Sequence, residues 1–185
     1  MNKRTFGMAG LAVAAAIGLG AIVADAQGIR LNFTASAPSG VWQVSQSAAL
    51  ERGALIEVCP PDHPIVDLMV EHHYLDPGSC PGEVTALLKP VAAVAGDTVT
   101  IQSGSPAQVN GQPLPNTYAN PDMPAWPDGT YEVRDNEIWL FSSYSEKSFD
   151  SRYFGPVSTD KVIGVAAPLL IKGDVATMTV METRP

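Results

Sequence analysis

Apolar and polar residues alternate in short tracts along most of this chain, and glycine or proline interrupts the tracts at close intervals. A half-buried strand repeats every two residues and a surface helix every ~3.6, so this rhythm predicts many short strands and few helices. Strands are expected at Leu31–Ala35, Val41–Val44, Ala54–Cys59, Val84–Val94, Thr98–Gln102, Tyr131–Phe141, Val162–Leu170 and Ala176–Met181. Gly96-Asp97 reads as a turn. Asn110-Gly111 reads as a hairpin, because both residues accept a positive φ at little cost. One internal tract has helical spacing: Pro64 to Tyr74 places Ile65, Leu68, Met69 and His72 on one stripe, with Pro64 where a first helical turn tolerates it. Asp76-Pro77-Gly78 closes that helix, and Asn116 to Gly129 is a proline-rich surface loop. The expected class is all-β with one short helix.

The N-terminus breaks the rhythm. Lys3 and Arg4 precede an apolar run from Phe6 to Ala24, interrupted only by glycines, and then comes Ala24-Asp25-Ala26-Gln27. The run sits between the length of a signal-sequence core and the roughly 20 residues of a spanning helix. Its length favours a retained anchor over residues 1–27, and the Ala-x-Ala favours cleavage. Both outcomes put residues 28–185 outside the cytoplasm as a single domain, since the positive end stays inside.

Composition narrows the partners. A net charge of −8 argues against nucleic acid, which demands a basic surface, and between Leu31 and Val133 the only cations are Arg52 and Lys89. Two cysteines, Cys59 and Cys80, bracket the helical tract. In an oxidising compartment they would close a disulfide contributing about 3 kcal/mol. The rival is a zinc site, because His63, His72 and His73 all fall between them; the spacing fits no standard finger, and adjacent histidines on a helix face different ways.

Three segments carry candidate chemistry. Ser36 stands at a corner closed by Pro38 and Gly40, where its hydroxyl can face solvent with its own N–H free for a substrate; taken alone it reads as an ordinary loop serine beside a proline turn. Lys89 is the only charge between Val84 and Ala95. It is either a solvated edge-strand charge beside Pro90 or a buried amine, and only burial would bring its pKa down far enough for it to act as a base. Ser148, Asp150 and Arg152 fall on one side of an expected strand, offering a hydroxyl to hold an amine and an acid–base pair as a brace.

Together these tracts resemble a family. N-x-T-x-S-x-P-x-G at Asn32–Gly40, L-L-K-x-V-A-A-V-x-G-D at Leu87–Asp97 and S-F-D-S-R-Y-F-G-P-V at Ser148–Val157, behind an apolar N-terminus, are similar to the TraF-type conjugative-transfer peptidases of the serine–lysine signal-peptidase clan. G-S-C-P-G-E before the lysine and V-N-G in the hairpin extend the likeness over nearly the whole chain. The resemblance implies a signal-peptidase- or LexA-like barrel of antiparallel strands. It implies Ser36 as nucleophile, Lys89 as general base, Ser148 as the hydroxyl orienting the lysine, and Thr34 with the Ser36 N–H as oxyanion donors. Asp150 matches an acidic residue implicated in activity, and Arg152 its bracing partner. No cofactor and no metal are implied.

The implied function is maturation of a conjugative pilin precursor, with head-to-tail cyclisation in some members, at the inner membrane with the catalytic domain in the periplasm. The implied partners are a pilin or secreted precursor and type IV secretion components. General leader peptidases carry a G-D-N box shortly before D-S-R, and here that stretch reads S-S-Y-S-E-K, which disfavours a housekeeping signal peptidase. A non-catalytic extracytoplasmic binding module is the third reading.

Overall fold

The computed structural model describes residues 3–173, apart from the side chains at positions 3–7 and 9. Every strand pair is antiparallel. The larger sheet is built from β1 (Ile29–Asn32), β2 (Gly40–Ser45), β3 (Leu55–Val58), β5 (Leu87–Ala93), β10 (Glu137–Leu140), β11 (Val157–Ser158) and β12 (Val162–Ile171). Its order is β1-β2-β12-β3-β5-β10-β11, so the expected barrel is a curled half-barrel, with β1 and β11 as its unjoined ends among the described residues. The smaller sheet is β8 (Gln112–Pro113), β7 (Gln108–Val109), β6 (Thr98–Ile101) and β9 (Gly129–Glu132), in that order. Asn110 and Gly111 carry φ of 51° and 75° at the β7–β8 turn, as their pairing required.

Three apolar clusters hold the sheets, the smallest being Ala37, Trp42, Leu55 and Ala166 beside the Ser36 loop. Ile56, Val58, Val91, Ile138 and Leu140 of the larger sheet pack against Ile65, Val66 and Met69 of α2 (Pro64–Glu71). Val99, Ile101, Val109, Trp139 and Phe141 join the smaller sheet to β10. The disulfide reading holds: Cys59 and Cys80 are bridged, their Cα atoms 5.5 Å apart. The bridge consumes both thiols that the zinc alternative required, and His63 instead caps α2, its Nδ1 accepting from the Ile65 N–H. Where the sequence reads a helix stop at Asp76-Pro77-Gly78, the short strand β4 (Pro77–Cys80) runs to the bridged cysteine and pairs with Val84.

Three sequence expectations are revised. The first strand ends at Asn32, so Thr34 and Ser36 lie on a loop. The Tyr131–Phe141 tract splits at Asn136, where φ is 64°, into β9 and β10. The Ser148–Arg152 stretch is not a strand: Asp150 accepts the Arg152 N–H and caps the one-turn helix α3 (Ser151–Phe154), so a two-residue period does not apply there. The expected Ala176–Met181 strand lies outside the described residues. At the N-terminus α1 spans Lys3–Ala26. Among the described residues no helix is long and apolar enough to cross a membrane.

Candidate active site

Asn32 builds the loop that carries Ser36. Its buried side-chain amide donates to the carbonyls of Thr34 (3.2 Å), Ala37 (2.9 Å) and Pro38 (3.1 Å), and its oxygen accepts from the Thr34 N–H (3.1 Å) and hydroxyl (2.8 Å). One residue thus pairs both sides of a tract that makes no ladder bonds. Trp42 adds an indole donor to the Pro38 carbonyl at 3.1 Å. The loop rejoins the sheet at Gly40, where φ is +146° and any Cβ would strike the Leu170 carbonyl oxygen. Sequence reasoning quoted Asn32 in a motif and gave it no role; its only local signal was an amide two residues before a threonine.

Lys89 comes to Ser36 from β5, whose pairing with β3 sets Ile56 opposite Lys89. Its Nζ donates to Ser36 Oγ at 2.7 Å and to Ser148 Oγ at 2.9 Å. The side chain is buried, only 4% exposed, so the open choice between solvated charge and buried amine resolves to the second. Burial lowers the ammonium from an ordinary 10.5 to about 8; the Asp150 charge pulls it back upward and Arg152 pushes it down. Near pH 8, therefore, about half the molecules carry a neutral amine against a serine hydroxyl.

Behind this pair lie Asp150 and Arg152, both fully buried. The guanidinium grips the carboxylate with Nε to Oδ1 and Nη2 to Oδ2, each 2.8 Å. Arg152 also donates to the carbonyls of Asn116, Tyr118, Glu146 and Ser148. Asp150 accepts in addition from the Ser142 N–H at 3.0 Å. The pair is a brace in its geometry, and the carboxylate's partners among the described residues are Arg152 and Ser142 rather than Ser36 or Lys89. Ser142 opens the S-S-Y-S-E-K stretch, and sequence reasoning assigned it no role of its own. Its hydroxyl donates to the Ser36 carbonyl at 2.7 Å from 106 positions away, and no local pattern announces such a contact.

Thr34 is exposed, and its hydroxyl proton is given to Asn32. The cleft in front of Ser36 and Lys89 measures about 810 Å³ and is lined by Asn32, Thr34, Leu87, Leu88 and Phe149 among others. Among the described residues two strand edges border it unpaired: β1 is the last strand of its sheet, and β10 joins β5 only from Val91 onward. An extended peptide could pair with such edges and present a carbonyl to Ser36.

An all-antiparallel half barrel with a serine and a buried lysine in one cleft defines a class that sequence comparison identifies. The family model "Signal peptidase, peptidase S26" matches residues 3–170, and the chain belongs to that family. Within it, the relatives are conjugation proteins. The chain is 36% identical over 149 residues to the plasmid transfer protein TraF of Escherichia coli, covering 77% of this chain and 83% of that protein. It is 32% identical over 178 residues to the conjugal transfer protein TraF of Agrobacterium fabrum, covering 91% and 97%. A solved signal peptidase I from Enterococcus faecalis aligns at a TM-score of 0.39 and 18% identity, over 65% of this chain and 98% of that one, and nothing further rests on it. Family membership supports a serine peptidase, and the relatives a role in conjugal transfer.

Proposed function

We propose that this chain is a membrane-anchored serine endopeptidase that matures a conjugative pilin precursor through an acyl-enzyme. The observation that carries the reading is the 2.7 Å contact between Ser36 Oγ and a Lys89 amine whose burial keeps it partly neutral near pH 8. In the proposed reaction Ser36 Oγ bonds to the scissile carbonyl carbon as the neutral Nζ takes its proton. The oxyanion is met by the Ser36 N–H and by the Thr34 hydroxyl once it turns from Asn32, at roughly 3 kcal/mol per donor. Collapse breaks the C–N bond, and the Lys89 ammonium returns the proton to the leaving amine. Water, or the precursor's own amino group, then attacks the ester, and the proton passes through Lys89 back to Ser36. Ser148 keeps Nζ aimed throughout.

The inner membrane and a periplasmic domain over residues 28–185 belong to the same proposal. Three features support them: exposed Leu11, Ile17, Leu19 and Ile22 on α1, exposed Leu31, Phe33 and Leu170 flanking the Ser36 loop, and a disulfide suited to an oxidising compartment. The relatives' names favour a transfer-specific substrate over general secretory precursors. The decisive experiment incubates the enzyme with the precursor pilin and reads intact mass. Cleavage by the wild type, and none by Ser36→Ala or Lys89→Ala, is the expected result. A product one water lighter than the linear mature chain reports ring closure; equal turnover of unrelated secretory precursors points to a housekeeping signal peptidase, and activity surviving both substitutions refutes the dyad.

A further inference from the structure

Ser142 sits at the end of β10, fully buried, in the stretch where the resemblance breaks down. Its hydroxyl has a single proton, and that proton goes to the Ser36 carbonyl at 2.7 Å. Its oxygen accepts from the Tyr144 N–H at 3.3 Å, and its own N–H is fixed on Asp150 Oδ2 at 3.0 Å. Donor, acceptor and backbone are thus all committed, leaving the hydroxyl one orientation.

Following the bonds onward returns to the starting point. Asp150 Oδ2 accepts from Arg152 Nη2 (2.8 Å), and the same Nη2 donates to the Ser148 carbonyl (3.0 Å). Ser148 Oγ accepts from Lys89 Nζ (2.9 Å), and Nζ reaches Ser36 Oγ (2.7 Å). The Asp150–Arg152 pair therefore reaches the lysine through Ser148 and the serine through Ser142.

We propose that Ser142 is a positioning residue for the nucleophile: by holding the Ser36 carbonyl it fixes the backbone that aims Oγ at Lys89, and it is the route by which Asp150 acts on Ser36. This rests on the serine–lysine reading above. Asn32 anchors the loop from inside, through the carbonyls of Thr34, Ala37 and Pro38, but leaves the Ser36 carbonyl to Ser142. A part-buried carbonyl deprived of its donor seeks another, and a shift of about 1 Å at the nucleophile can cost about 100-fold in rate.

The test compares wild type, Ser142→Ala, Ser142→Thr and Ser148→Ala for labelling of Ser36 by a fluorophosphonate probe across pH, alongside kcat and KM on a peptide spanning the precursor's cleavage site. Ser142→Ala is expected to lower both the labelling rate and kcat about tenfold or more, with KM within about twofold and the pH midpoint unmoved, because Lys89 keeps its surroundings. Ser142→Thr, which keeps the hydroxyl, is expected to recover most of that loss. Ser148→Ala, by contrast, is expected to move the midpoint. Wild-type labelling by Ser142→Ala, or a loss explained by a matching fall in thermal midpoint, overturns the assignment and leaves the dyad standing. Failure of the wild type itself to label at Ser36 overturns both.

Discussion

Lys89 is a costly side chain to keep where it is. An ammonium in that pocket has lost its water and, among the described ion pairs, holds no carboxylate of its own. Its folded pKa of about 8 lies below the unfolded 10.5, so between those values the unfolded chain binds more protons and stability rises with pH. Below about pH 8 the full cost is present, on the order of 3 kcal/mol at 1.36 kcal/mol per unit. Lys89→Met, similar in length and uncharged, is expected to abolish labelling of Ser36 while stabilising the fold by up to about that amount at pH 7, with the gain shrinking toward pH 10.5. Denaturant titrations of both proteins at pH 7 and 10 measure it; a destabilised Lys89→Met at pH 7 contradicts the account. The sequence offered half of this. An isolated lysine in an apolar tract was visible, but whether it faced solvent depended on Ser36 and Ser148, 53 and 59 positions away.

At the level of elements, the site depends on a helix of a single turn. Asp150 caps α3, pairs bidentately with Arg152 and holds the Ser142 N–H, so three structural jobs meet in one carboxylate. Removing it leaves a buried guanidinium uncompensated, a change that typically costs 3–5 kcal/mol. Asp150→Ala is expected to lose roughly that much stability in denaturant titration, with activity falling at temperatures where the variant is still folded. Unchanged stability would show that the pair is not the brace its geometry describes. Reading this tract as a strand failed because alternation assumes an extended backbone, and the Asp150 side chain bonding two residues ahead ends the extension. The hairpin at Asn110-Gly111 was legible for the complementary reason: its φ values are demanded by the residues themselves.

For the whole molecule, the open sheet is what makes a cleft. Among the described residues its two end strands do not pair, and the gap leaves the edges of β1 and β5 open beside Ser36 and Lys89. The smaller sheet packs its core onto Trp139 and Phe141, so β10 is held there, and with it Ser142 just past its end. Short tracts told of strands but not of their order, because which edges stay open is decided by long-range pairs such as β2 with β12. The claim on which the account turns is that the intact enzyme works through an uncharged Lys89. Its most direct measurement is the pH dependence of the rate at which Ser36 is acylated by substrate, from pH 6 to 11. The account predicts a rate that climbs tenfold per unit at low pH and levels off through a midpoint near 8. A rate that is flat over that range, or that rises only above pH 10 as for a solvated lysine, would contradict it.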